Sequence, residues 1–183
     1  MTTQFSVPTI EQVSDNNKAI FEKLQKGLGF VPNLYATFAY SNTALGDYLT
    51  LQNRKSSLSN KEKEVINLVV SQVNDCLYCL SAHTAIAKMN GFTDEQVLEI
   101  RTGEASFDAK LNALAVFVKD VSERRGKPSA GAVDAFLQAG YTKENIIDVV
   151  IIIGDKTITN LMHGITKVPI DFPVAPALEV ANA

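Results

Sequence analysis

Apolar residues recur every three to four positions along almost the whole chain, the spacing that lines one face of an α-helix, and capping residues mark where the helices begin. Ser59 stands three residues before Glu62, a capping-box pair, ahead of the run Val65-Ile66-Asn67-Leu68-Val69-Val70. Asn74-Asp75 interrupts that helix, and a second is expected from Cys76 to Gly91. Thr93 with Gln96 is another capping pair and opens a short helix that Gly103 closes, while Ser106 with Asp108 starts a longer one ending near Gly126. A further helix is expected over residues 129–140. Thr142 then caps a last long one through Ile165, beyond which Pro169 and Pro173 keep the tail extended. In the N-terminal third the pattern predicts helices over residues 14–27 and 33–53, hinged at Gly29-Phe30-Val31-Pro32-Asn33.

One segment pulls the other way. Val149-Val150-Ile151-Ile152-Ile153 has strong β propensity and alone reads as a buried strand. Capping at Thr142 and helical spacing on through Ile158, Leu161, Met162 and Ile165 favour a long helix that is apolar nearly all round, buried in the domain or between subunits. No alternating strand partner is found elsewhere, so the pattern predicts an all-α helical bundle. No low-complexity tract or long linker divides it, and a single domain over residues 1–183 is expected.

Composition adds mainly exclusions. A chain of 183 residues can build a real core without disulfide staples. Its net charge of −3, with Lys61 and Lys63 alternating with Glu62 and Glu64, leaves no footprint for nucleic acid or an anionic membrane. The first twenty residues have no basic region followed by an apolar core, and no stretch reaches the roughly 18 apolar residues of a membrane span. A soluble cytoplasmic protein is expected.

The candidate chemistry lies at the Asn74-Asp75 interruption. The only two cysteines, Cys76 and Cys79, are three residues apart, and His83 follows four residues later, so all three share one helix face. A disulfide between such close cysteines closes a tiny loop and stabilises little, which leaves redox or metal chemistry as their task. A neighbouring imidazole or a helix N-terminus can lower a thiol pKa from about 8.5 to roughly 3.5–7.5. Glu64 lies about ten residues before the turn and His83 about nine after it, placing them nearly level on facing helices at about 1.5 Å rise per residue. The carboxylate can then orient the imidazole as a base. Each residue alone has a plainer role, Glu64 on a helix surface and His83 as a satisfied core histidine; the joint spacing is what singles them out.

Glu64, Cys76, Cys79 and His83 at these spacings resemble the signature of the alkylhydroperoxidase D (AhpD-like) proteins of the carboxymuconolactone decarboxylase superfamily. Gly29-Phe30-Val31-Pro32-Asn33-Leu34, Gly91-Phe92-Thr93-Asp94-Glu95, Thr159-Asn160-Leu161-Met162-His163 and Val168-Pro169-Ile170-Asp171-Phe172-Pro173 resemble its peroxidase-related branch. The resemblance implies an all-helical subunit that forms homo-oligomers, often trimers or hexamers, and acts as a thiol-dependent peroxidase or disulfide reductase in antioxidant defence. By position, Cys79 is similar to the thiolate that attacks a hydroperoxide, Cys76 to the resolving thiol and proton donor, and His83 with Glu64 to the proton relay. A thiol or dithiol electron donor is implied, its identity unknown, and no cofactor or resident metal.

Two points stand apart from the resemblance. Cys76 is nearer the helix N-terminus, so the dipole alone favours it as the lower-pKa thiol. Tyr78 stands where alkylhydroperoxidase D proper can carry a relay histidine, and a phenol with pKa near 10 is a poor base at pH 7. The decarboxylases that name the superfamily typically lack the dithiol, which speaks against lyase activity. Two other classes are open to the same residues: a zinc site of Cys76, Cys79, His83 and Glu64, which would crowd four ligands on one hairpin, and a non-catalytic helical oligomer whose dithiol senses oxidants. His163, three residues after Asn160, is an accessory candidate for a pocket near the dithiol, against the plainer reading of a hydrogen-bonded structural histidine.

Overall fold

A computed structural model describes residues 5–178, and helices are the regular elements throughout them. After a 3₁₀ turn at Ile10–Gln12 come α1 (Asp15–Leu28), α2 (Asn33–Phe38), α3 (Ala44–Gln52), α4 (Asn60–Val73), α5 (Leu77–Met89), α6 (Asp94–Thr102), α7 (Ala109–Glu123), α8 (Ala132–Gln138) and α9 (Lys143–Thr166). The fold is all-α, as the pattern of apolar positions predicts. Contacts group the residues into two compact units: one runs through Lys55 and includes Leu161–Asp171, and the other comprises Ser56–Asn160 with the segment from Phe172.

The first unit buries Val13, Phe21, Ala36, Phe38, Leu45 and Tyr48 together. Here the structure corrects one expectation: residues 33–53 form two helices, not one, parted at residues 39–43. Ser41 Oγ accepts from the N–H groups of Thr43 and Ala44 at 3.4 and 3.3 Å. Asn17 Nδ2, on α1, donates to the carbonyls of Ala39 and Ser41 at 3.2 and 2.9 Å. Side chains thus satisfy backbone groups that a continuous helix would have paired internally, and the chain can turn.

In the second unit the capping pairs form as the spacing predicts. Ser59 N–H donates to Glu62 Oε2 at 2.8 Å and Glu62 N–H to Ser59 Oγ at 3.3 Å, and Thr93 pairs with Gln96 in the same way. Asp108 accepts from the N–H groups of Lys110 and Leu111 at the start of α7. Gly103 ends α6 at φ +90°, a left-handed conformation that glycine adopts without Cβ strain.

The core of this unit gathers Val65, Leu68 and Val69 of α4, Ile100 of α6 and Leu114 and Val118 of α7. Phe136 stacks between Phe117 and Tyr141, with centroids 4.4 and 4.3 Å apart. Val149 and Ile152 join this core from within α9, so the β-prone run is helical. The Thr142 cap, with Asn145 N–H donating to Thr142 Oγ1 at 3.2 Å, and burial against α-helices outweigh a propensity worth about 1 kcal/mol across its whole scale. α9 also leaves Ile147, Val150, Ile158, Leu161 and Ile165 exposed on the single chain. Among the described residues no helix is long and apolar enough to cross a membrane.

Candidate active site

The dithiol sits where α4 turns into α5. Asn74 ends α4, Asp75 takes the left-handed conformation at φ 51°, and Cys76 is the N-cap of α5. Aspartate is among the few residues that adopt this conformation readily, and its use here completes the turn without glycine. Cys76 N–H donates to Ser71 O at 2.9 Å, which fixes the entry to α5. Cys79 N–H donates to Cys76 Sγ at 3.3 Å, so the first cysteine caps its own helix with sulfur. Both are free thiols, 3% and 2% exposed, and the Cys76 thiol donates to the Cys79 sulfur with Sγ atoms 2.6 Å apart.

Glu64 and His83 meet across the hairpin. Glu64 Oε2 lies 2.8 Å from His83 Nδ1, and Glu64 Oε1 accepts from Asn67 Nδ2 at 3.0 Å. Burial pushes the Glu64 carboxyl up, but His83, the Asn67 hydrogen bond and the charge of Lys156 together hold it below the usual carboxylate value. An ionised carboxylate can only accept, so Nδ1 carries the imidazole proton and Nε2 is the atom able to take one.

The two thiols are driven apart. Cys79 is held below the ordinary thiol value, first by the Cys76 hydrogen bond and, against burial, by Lys156, His83 and Asn160. Cys76 is pushed up by its bond to Cys79, by burial and by the negative charge of its neighbour, more than the Cys79 N–H and Asn160 can offset. This reverses the expectation from the helix dipole alone. One backbone N–H favours charge on Cys76, whereas the charge of Lys156 acts on Cys79.

Two residues of α9 complete these surroundings. Asn160 Oδ1 accepts from Asn74 Nδ2 at 2.9 Å and Asn160 Nδ2 donates to Ser71 Oγ at 3.4 Å, which sets its amide beside the turn, where it favours charge on both thiols. Lys156, one helical turn earlier, is 2% exposed and its charge acts on both Cys79 and Glu64. The sequence reading passed over Lys156. Its signal was a lysine inside a helix apolar nearly all round, where a charge needs a reason to be buried.

The accessory candidates make contacts of their own. Tyr78 is buried and packs edge-on against Phe172, with centroids 5.7 Å apart. His163 belongs to the first unit, where Nε2 lies 3.2 Å from Val168 O. Among the described residues no three His, Cys, Asp or Glu side chains are arranged to hold a metal ion.

A helical hairpin with a buried dithiol beside a carboxylate-bound imidazole defines a class of thiol site on an all-α scaffold. Residues 37–119 match the model of the Carboxymuconolactone decarboxylase family. The fold is that of an AhpD core protein described as an uncharacterized peroxidase-related protein from Ralstonia eutropha JMP134, at 22% identity and TM-score 0.79 over 88% of each chain. An uncharacterized peroxidase-related protein from Silicibacter sp. TM1040 is similar at 24% identity and TM-score 0.79, over 91% of this chain and 93% of that one. The debrominase Bmp8, as its C82A variant with 2,3,4-tribromopyrrole, is similar at 17% identity and TM-score 0.70, over 91% and 94%. No curated protein sequence matches significantly. The family match covers just under half of the chain, and the solved structures show that the fold is AhpD-like.

Proposed function

We propose that this protein is a thiol-dependent peroxidase or disulfide reductase that reduces hydroperoxides through Cys76 and Cys79 in antioxidant defence. One observation carries the reading: two buried free thiols whose sulfurs are 2.6 Å apart, with the Glu64-bound imidazole of His83 acting on the second. The Cys79 thiolate attacks the peroxide oxygen, the O–O bond breaks, and the departing alkoxide takes a proton supplied through Cys76 or His83. Cys79 becomes a sulfenic acid. The Cys76 thiol then attacks that sulfur, water leaves, and a disulfide forms. An external dithiol returns two electrons by exchange through a mixed disulfide.

Glu64 is the positioning residue in this cycle, fixing the tautomer and orientation of His83. The opposed shifts of the two thiols support Cys79 as nucleophile and Cys76 as resolving thiol. A dithiol that must be re-reduced suits a reducing compartment such as the cytoplasm. The exposed apolar positions along α9 support assembly into a homo-oligomer, a trimer or hexamer, which sedimentation at increasing protein concentration measures.

The test is hydroperoxide consumption with a panel of thiol and dithiol reductants, wild type beside Cys79→Ser. Sustained turnover in the wild type and none in Cys79→Ser supports an enzyme. A single stoichiometric oxidation with every reductant supports the sensing role instead.

A further inference from the structure

We propose that α9 supplies a working part of the dithiol site: Lys156 is the fixed cation that keeps Cys79 ionised, and Asn160 is the hydrogen-bond donor that holds the sulfurs in register with the hairpin turn. This rests on the reading of Cys79 as the reactive thiol. It extends the site beyond the four residues of the hairpin.

Charge and geometry lead to this assignment together. The groups acting on Cys79 come from three helices and the turn: Cys76 at the turn, His83 on α5, Glu64 on α4 through His83, and Lys156 on α9. Glu64 is anionic and occupied by His83 at 2.8 Å, so even with a protonated imidazole that pair brings no net positive charge to the site. A buried thiolate beside a buried carboxylate then lacks a counter-charge, which a low-dielectric interior does not tolerate. Lys156 supplies it. Its side chain is buried in mid-helix, and among the described residues it forms no ion pair within salt-bridge distance, so it is not there to balance one particular carboxylate. A buried ammonium calls for negative charge nearby, and Glu64 and Cys79 are the groups on which the charge of Lys156 acts.

Asn160 fixes the position of that charge. Residues four apart on a helix share a face, so the side chain of Asn160 lies one turn beyond Lys156. Its bonds to Asn74 and Ser71 tie this face of α9 to the very residues that end α4 and receive the Cys76 N–H. Held beside the turn, this amide can donate to a thiolate and cannot take its proton.

The experiment follows the pH dependence of Cys79 alkylation and thiolate absorbance at 240 nm, in the Cys76→Ser background, for Lys156→Met, Lys156→Arg and Asn160→Asp. Lys156→Met should raise the thiol pKa by about one unit or more, the effect of removing a nearby opposite charge, whereas Lys156→Arg should keep it close to the parent value. Asn160→Asp, which brings an anion to the sulfurs, should raise it as well and serves if Lys156→Met does not fold. An unchanged profile in folded Lys156→Met, or an equal rise in Lys156→Arg, overturns the role of charge. If Lys156→Met does not fold, an unchanged Asn160→Asp profile overturns the proposal. Thiol ionisation is read without any peroxide. A wild type with an acidic thiol but no peroxidase turnover therefore contradicts the proposed function and leaves this assignment standing, while turnover with an unshifted Lys156→Met does the reverse.

Discussion

Helix α4 has two buried faces that obey different rules. Val65, Leu68 and Val69 enter the apolar core, whereas Glu64, Asn67 and Ser71, spaced three and four residues apart, form a polar seam facing the dithiol. Leu68 is fully buried and Glu64 is 6% exposed, so the two faces scarcely differ in burial. They differ in what satisfies them. Core side chains gain from any close neighbour, because apolar burial and dispersion have no direction. Seam residues need particular partners: both Glu64 oxygens are engaged, and Ser71 accepts from Asn160 through its side chain and from Cys76 through its carbonyl. A volume-conserving change is therefore mild in the core and disruptive in the seam, where an unpaired polar atom costs about 1–3 kcal/mol.

The largest effect on stability should come from the core. Leu114→Ala removes a fully buried side chain packed among these residues and should cost about 2–5 kcal/mol in denaturant unfolding of the chain. Below its unfolding midpoint the variant should keep the wild-type pH profile of thiol alkylation. A shifted profile in folded Leu114→Ala would mean that core and seam are not separable.

Next in size is the seam's effect on rate. Glu64→Gln keeps the shape but neutralises the group that orients His83, so less thiolate should form at pH 7. A thiol with pKa near 8.5 is only about 3% ionised at neutral pH, so alkylation should slow roughly tenfold. Identical rates in Glu64→Gln and wild type would leave the carboxylate with a structural role alone.

A smaller effect links the seam to acid stability. The Glu64 carboxyl is held below its unfolded value, so its contribution is fully present above about pH 4.3 and is lost as the pH falls through the lower folded value. Denaturant midpoints of the wild type should drop over that acidic window more steeply than those of Glu64→Gln. Parallel curves would contradict the link.

Most of the architecture was legible because caps and apolar spacing are local signals. Ser59 with Glu62, Thr93 with Gln96, and Asp108 each begin a helix as read. The single helix expected over residues 33–53 failed because its break depends on Asn17, a residue 22 positions away from the carbonyl it caps. Level pairing of Glu64 with His83 could be anticipated from rise per residue, since one turn joins their helices. Lys156 carried the signal of a lysine in an apolar helix, but its place and that of Asn160 beside the dithiol could not be read, because α9 meets the turn through residues 86 and 89 positions apart in the chain. Cys79 was singled out in sequence only by the resemblance: the dipole of α5 is a local signal that favours Cys76, whereas the charge of Lys156, which lowers Cys79, comes from α9.

The central claim, that Cys79 is the thiolate that meets peroxide and Cys76 the thiol that resolves it, is tested most directly by trapping the intermediate. Cys76→Ser protein treated with one equivalent of hydroperoxide and a dimedone-type probe should carry a single adduct, located at Cys79 by peptide mass spectrometry, while Cys79→Ser should carry none. An adduct on Cys76 in the Cys79→Ser protein, with Cys79 unlabelled in the other variant, would contradict the account and return the choice of nucleophile to the helix dipole.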